Sequence, residues 1–264
     1  MRKIVSRTSL SIILLAAVVM SFAASSSASD DSWERIKQKG ELVVGFCAQY
    51  PPFEFKTETG ELKGFDVDLA NAIGKELNIP VKFKDGEWQG LIPGMEKGDY
   101  DVLITCMGKT PKRMETVNFS DVYVKLTEVI VVRKDDDAIH DKIDLKGKTV
   151  GAQMATSSER VLNGMKDLVG ETKLYNYTTE AFLDLKFNRI DAVVSGFAYA
   201  VVQIKKDPSF KIVGNPLNAT DIGIALPKNA DALTSKINEA LAKIEANGTN
   251  KSIFDKWLNV SQMN

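Results

Sequence analysis

Short apolar runs alternate with amphipathic stretches along most of this chain, and that succession points to repeated β-then-α units. Leu42-Val43-Val44-Gly45-Phe46 is unbroken and apolar, as in a strand buried on both faces of a parallel sheet. In the stretch from Val67 to Leu77, Leu69, Ile73 and Leu77 recur every four residues with Ala72 beside them, which predicts a helix. Further strands are predicted at 81–83, 102–104, 129–132, 149–151 and 192–194. Helices are predicted at 33–40, 88–97, 158–169, 180–188, 197–206 and 232–246. The expected class is therefore α/β with mainly parallel sheets flanked by helices.

Composition narrows the function. The 34 basic residues are balanced by 35 acidic ones, so the basic face of a nucleic-acid binder is not expected. One His and two Cys cannot build a zinc finger or a disulfide-dense scaffold, and no metal or cofactor is expected. His140 follows the acidic run 135–137 and reads as surface. No phosphate-binding glycine loop and no Gly-x-Ser-x-Gly elbow occurs.

The first residues read as an export signal. Arg2, Lys3 and Arg7 precede the apolar stretch 12–20, and small residues follow through Ser29. A basic start, a short apolar core and a small-residue cleavage zone predict a signal peptide over 1–29. No Cys precedes Cys47, so a lipid anchor is not expected. The mature protein is expected to be periplasmic and monomeric.

In open α/β sheets, ligands bind beyond the carboxyl ends of strands. That rule selects 47–53, 105–113 and 156–159. Thr110 is a natural N-cap with Pro111 behind it, so Arg113 falls in a first helical turn. A cation there opposes the helix dipole, a small penalty that makes sense if Arg113 faces an anion. Thr156-Ser157-Ser158-Glu159 reads as a second helix start.

The residues also carry a resemblance. Gly45, then Tyr50-Pro51-Pro52-Phe53-Glu54-Phe55, then Gly64-Phe65-Asp66-Val67-Asp68-Leu69-Ala70 resemble the polar amino-acid-binding periplasmic proteins of ABC importers, solute-binding protein family 3. So do Gly90-Leu91-Ile92-Pro93, Thr110-Pro111-Lys112-Arg113, Phe119-Ser120-Asp121, Arg189-Ile190-Asp191-Ala192 and Lys256-Trp257-Leu258, in the family's order. The resemblance implies a two-lobed clamshell with two hinge crossings: lobe 1 over 30–126 and 222–264, lobe 2 over 127–221. It implies closure of the lobes on a small amino acid or amino-acid-like carboxylate, followed by docking on a membrane ABC permease. It leaves two alternatives, a dehydratase-like enzyme on the same clamshell or a ligand-sensing module.

Residue by residue, the resemblance implies that Arg113 pairs with the ligand carboxylate, as a planar guanidinium suits. Gly108 and Ser157 would add backbone N–H groups from the two lobes. Tyr50 and Trp88 would flank the ligand side chain, Gln153 and Ser158 would tune selectivity, and Cys106 and Thr156 would complete the cleft. Four positions depart from the pattern. Gly196 stands where an acid often holds the ligand ammonium, and Gly108 where Ser or Thr often assists. Cys47 and Cys106 replace an acid and a small residue. The expectation is that common α-amino acids bind weakly unless another group replaces the missing carboxylate. Cys47 and Cys106 follow strands that are neighbours in the family's sheet order. Either a disulfide or two free buried thiols fits that placement.

Overall fold

The computed structural model describes residues 30–259. The predicted signal peptide lies outside them. Among the described residues no helix is long and apolar enough to cross a membrane.

The first part of the chain runs α1 (Ser32–Lys39), β1 (Leu42–Phe46), β2 (Gln49–Tyr50), β3 (Glu54–Lys56), β4 (Leu62–Lys63), α2 (Phe65–Leu77), β5 (Val81–Asp85), α3 (Leu91–Glu96), β6 (Val102–Leu103) and α4 (Pro111–Thr116). A long strand, β7 (Val117–Arg133), leads to β8 (Thr149–Gln153), α5 (Ser157–Asn163), β9 (Glu171–Tyr175), α6 (Thr178–Lys186), β10 (Ala192–Gly196) and α7 (Phe197–Lys206). A second long strand, β11 (Phe210–Pro227), returns the chain to α8 (Asp231–Ala246) and α9 (Thr249–Trp257).

The main sheet has the order β5-β1-β6-β11-β7-β10-β8-β9. It consists of two parallel trios, β5-β1-β6 and β10-β8-β9, joined by the antiparallel ribbon β11-β7. This is the two-lobed clamshell, with each lobe built on its own parallel trio. Strand alternation gives every lobe two cores, one on each sheet face. Leu42 and Val44 pack with Leu69, Ile73 and Ile237, whereas Val43 packs with Leu91, Met95 and Leu103. In the other lobe, Val129, Val131 and Val193 pack with Phe182 and Tyr199. The intervening Ile130, Val132 and Val194 pack with Val150 and Leu162.

The predicted elements are present, with shifted ends. The stretch at 88–97 opens with a 3-10 turn, Trp88–Gly90, before α3 begins. The helix at 158–169 ends at Asn163, with Gly164 as its C-cap. The strand predicted at 129–132 is only the end of the 17-residue β7. Four short or irregular pieces had no prediction: the small sheet β2-β3-β4, strand β9, strand β11 and helix α9. Strand β11 was hidden because its ladder with β7 breaks its alternation, with register shifts after Val213, Ile222 and Gly223.

Candidate ligand-binding site

The carboxyl ends of β1, β6, β8 and β10 converge on one cleft of about 700 Å³, mouth included, a size suited to one small molecule. All ten residues expected to bind ligand line it: Arg113, Tyr50, Trp88, Gly108, Cys106, Thr156, Ser157, Gln153, Ser158 and Gly196. The sequence reading passed over Glu54, Tyr177 and Glu128, which line it too.

Arg113 is placed by its own helix start. Thr110 caps α4 by accepting a hydrogen bond from the Arg113 amide at 3.2 Å, as expected of a Thr-Pro start. The guanidinium donates to the carbonyl of Gly108 at 2.8 Å and to that of Ala155, across the cleft, at 2.7 Å. Its Cζ lies 5.3 Å from the centre of the Trp88 ring. Burial, helped by the nearby positive charge of Arg160, pushes its pKa down to about 10, so it remains a cation at neutral pH. Among the described residues no carboxylate forms an ion pair with it. A half-buried cation bonded only to neutral carbonyls is the complement of an anion brought from outside.

Ala155 ties the two lobes together. It sits at φ 60°, a left-handed conformation that costs an alanine roughly 1–2 kcal/mol. Its amide donates to the Glu159 carboxylate at 2.5 Å, and the adjacent Thr156 caps α5. Held this way, its carbonyl accepts from both Arg113 and Trp88 Nε1, the latter at 3.1 Å. Tyr177 Oη donates to Glu87, and Gln89 Nε2 reaches Asn176 Oδ1 at 3.4 Å, completing the closure on that side.

Several expected side chains are already engaged. Tyr50 stacks on Tyr199 at 4.7 Å and 12°, so protein covers that face of its ring. Gln153 donates to the Asn176 carbonyl at 2.8 Å and accepts from Thr178 at 2.9 Å. The two glycines owe their identity to close approaches. A Cβ on Gly108 would stand 2.8 Å from both Ser157 Oγ and Thr220 Cγ2. A Cβ on Gly196 would stand 2.4 Å from Tyr50 Oη.

Acids are present in the cleft after all. Glu54 is buried and accepts from Thr105 Oγ1 at 2.9 Å. Burial and the neighbouring Asp66 carboxylate hold it well above the usual carboxylate range. Glu128 is 4 % exposed, and burial pushes its pKa up to about 7, against the pull of Arg160. Glu54 stands inside the Tyr50–Phe55 run that carries the resemblance but has no site role implied there, and Glu128 lies inside a strand with no motif around it.

The two cysteines are free thiols, so the disulfide alternative is not the one found. Register explains it. Gly45 and Leu103 pair across β1 and β6, which sets Cys47 beside Thr105, whose hydroxyl accepts the Cys47 amide at 3.1 Å. Cys106 is one residue out of step and belongs to the opposite sheet face. Cys47 packs in the core with Leu91 and Met95, and Cys106 against the core with Leu42 and Val44. Unfolding in alkylating reagent without reductant is therefore expected to add two adducts per chain. Intact mass checks this, and an unalkylated species two mass units lighter would contradict it.

The chain was compared with known proteins. The model of the bacterial extracellular solute-binding proteins, family 3, matches residues 42–260. ABC transporter arginine-binding protein 1 of Escherichia coli (strain K12) is 32% identical over 250 residues, covering 93% of this chain and 98% of its own. An ancestral arginine-binding protein, solved bound to glutamine, is 42% identical with a TM-score of 0.79, covering 83% of this chain and 98% of that one. The ancestral amino acid-binding protein AncCDT-1, described as a precursor of cyclohexadienyl dehydratase, is 32% identical with a TM-score of 0.78, covering 85% and 98%.

Proposed function

This chain belongs to family 3 of the bacterial extracellular solute-binding proteins, and from that premise we propose that it captures an amino acid or amino-acid-like carboxylate outside the cytoplasm and delivers it to an ABC importer. The observation that carries the ligand class is Arg113: a half-buried guanidinium, unpaired by any carboxylate of the described residues, lining the cleft from a capped helix. A ligand carboxylate would take two parallel N–H bonds from the guanidinium fork, with Gly108 and Ser157 beside it. Trp88 and Tyr50 would bound the rest of the ligand, and Gln153, Ser158, Thr156 and Cys106 would shape its pocket.

We place the lobes at 30–126 with 222–264, and at 127–221. The crossings then fall where the ribbon is irregular, beside the register shift between Ile222 and Gly223. Two strands bending there allow hinge closure, and the cross-cleft bonds to Ala155 are those of the closed form. A permease would read the closed face. Secretion through a cleaved signal at 1–29 fits this role.

A dehydratase-like enzyme is the second reading, and Glu128 favours it, since an acid with a pKa near 7 in a cleft can exchange a proton. Against it, the groups reported above account for a binding site without any reactive pair. Burial pushes the Cys47 thiol up to about 12, so it is no nucleophile at neutral pH.

A thermal-shift screen of amino acids, opines, betaines and small carboxylates tests the proposal. A true ligand at 100 times its Kd is expected to stabilise the protein by about 2.7 kcal/mol. Recovery of that ligand unchanged after long incubation supports binding over turnover. A screen in which no carboxylate shifts the melting temperature would remove the proposal.

A further inference from the structure

We propose that Glu128 is the acceptor for a ligand ammonium group, so that the cleft takes zwitterionic amino acids with a free ammonium rather than carboxylates lacking one. This deepens the carboxylate-binding reading and rests on it.

The cleft presents one guanidinium, Arg113, and one ionisable acid without a carboxylate neighbour, Glu128, and neither has an ion-pair partner among the described residues. Buried charges left unpaired are costly, and a ligand carrying both signs neutralises both at once. The ladder then places the acid. Glu128 of β7 pairs directly with Gly196 of β10, so both positions face the same side of the sheet. Gly196 contributes no side chain to that side, and Tyr50 Oη approaches it closely. Glu128 is thus the carboxylate that reaches the cleft wall at this point. Thr220 Oγ1 donates to its Oε2 at 3.5 Å and the Asn218 side chain also bonds the carboxylate; both are neutral donors, weaker than an ammonium.

Glu54 is the other candidate and is the weaker one. Burial and the second buried carboxylate it faces, Asp66, hold it well above the usual carboxylate range. The groups that shift Glu128 include no second carboxylate. The titratable and charged groups around it are Arg160, Tyr50 and Cys106. A ligand ammonium beside Glu128 favours its charged form. At pH 7 the free protein holds it partly protonated, so binding expels protons.

The test is calorimetry on the wild type and Glu128→Gln, with L-arginine, L-glutamine and their des-amino counterparts, 5-guanidinopentanoic acid and glutaramic acid. The wild type is expected to prefer at least one amino acid over its des-amino form by about 30-fold or more. Glu128→Gln is expected to lose that preference. Titration of the wild type in two buffers of different ionisation enthalpy is expected to show proton release, a readout that needs no variant. Equal affinity of the wild type for an amino acid and its des-amino form overturns the proposal and leaves the carboxylate reading standing. So does full discrimination retained by a folded Glu128→Gln. Binding of none of the four compounds would overturn the proposal and would count against the carboxylate reading as well.

Discussion

Arg113→Ala is expected to abolish most ligand affinity while the ligand-free protein still folds. The variant removes one partner of a desolvated charge pair, which costs about 2–5 kcal/mol of binding, roughly 30-fold to several-thousand-fold in Kd. Folding is spared because the wild-type side chain is itself a half-buried cation with no carboxylate partner among the described residues. Arg113→Lys is expected to fall between the two. It restores charge, but a point ammonium cannot donate two parallel bonds to a carboxylate while holding the carbonyls of Gly108 and Ala155. Calorimetry with a ligand from the screen gives the affinities, and circular dichroism confirms the fold. Unchanged affinity in Arg113→Ala would remove the anchor from the mechanism.

The second large effect is expected at Gly196. Alanine there sets a Cβ 2.4 Å from Tyr50 Oη, and the Tyr50 ring is held by stacking on Tyr199. Overpacking of this kind costs about 1–3 kcal/mol. The cleft would relieve it by opening, because the two residues come from opposite lobes. Weakened ligand binding is therefore expected along with any loss of stability. Tyr50→Phe removes the colliding oxygen, and the next ring atom, Cζ, stands at an ordinary 3.6 Å. The double variant is expected to recover most of the loss, so a double-mutant cycle should show a coupling well above the few tenths of a kcal/mol seen between independent sites. Additive effects would mean that Gly196 is not there to admit Tyr50.

These two residues show how differently the site could be read. Arg113 was legible because its signal is local: a Thr-Pro helix start with a cation in the first turn is visible in four adjacent residues. Gly196 was legible as a departure, an acid missing from where the family often has one. What the departure meant was not legible. Its close neighbour Tyr50 is distant in sequence, and its ladder partner Glu128 sits in a strand whose pattern says only that it is buried. The expectation of weak amino-acid binding followed from counting acids at one position. The fold brings a carboxylate, Glu128, to that wall from the adjacent strand, and the role proposed for it awaits the calorimetry described above.

The sequence by itself determined five of the six strands of the parallel trios, β9 excepted, most of the helices that cover them and the strand ends where ligand chemistry collects. Those depend on hydrophobic period and capping, which act over a few residues. Tertiary structure alone decided three things. The antiparallel ribbon of β7 and β11 joins segments about 90 residues apart and is broken by bulges, so no local period betrays β11. The cysteines remain apart because one step of register puts them on opposite sheet faces. The charge balance of the cleft came last, since whether Arg113 and Glu128 find partners inside the protein depends on which strands become neighbours, and short-range sequence carries no record of that.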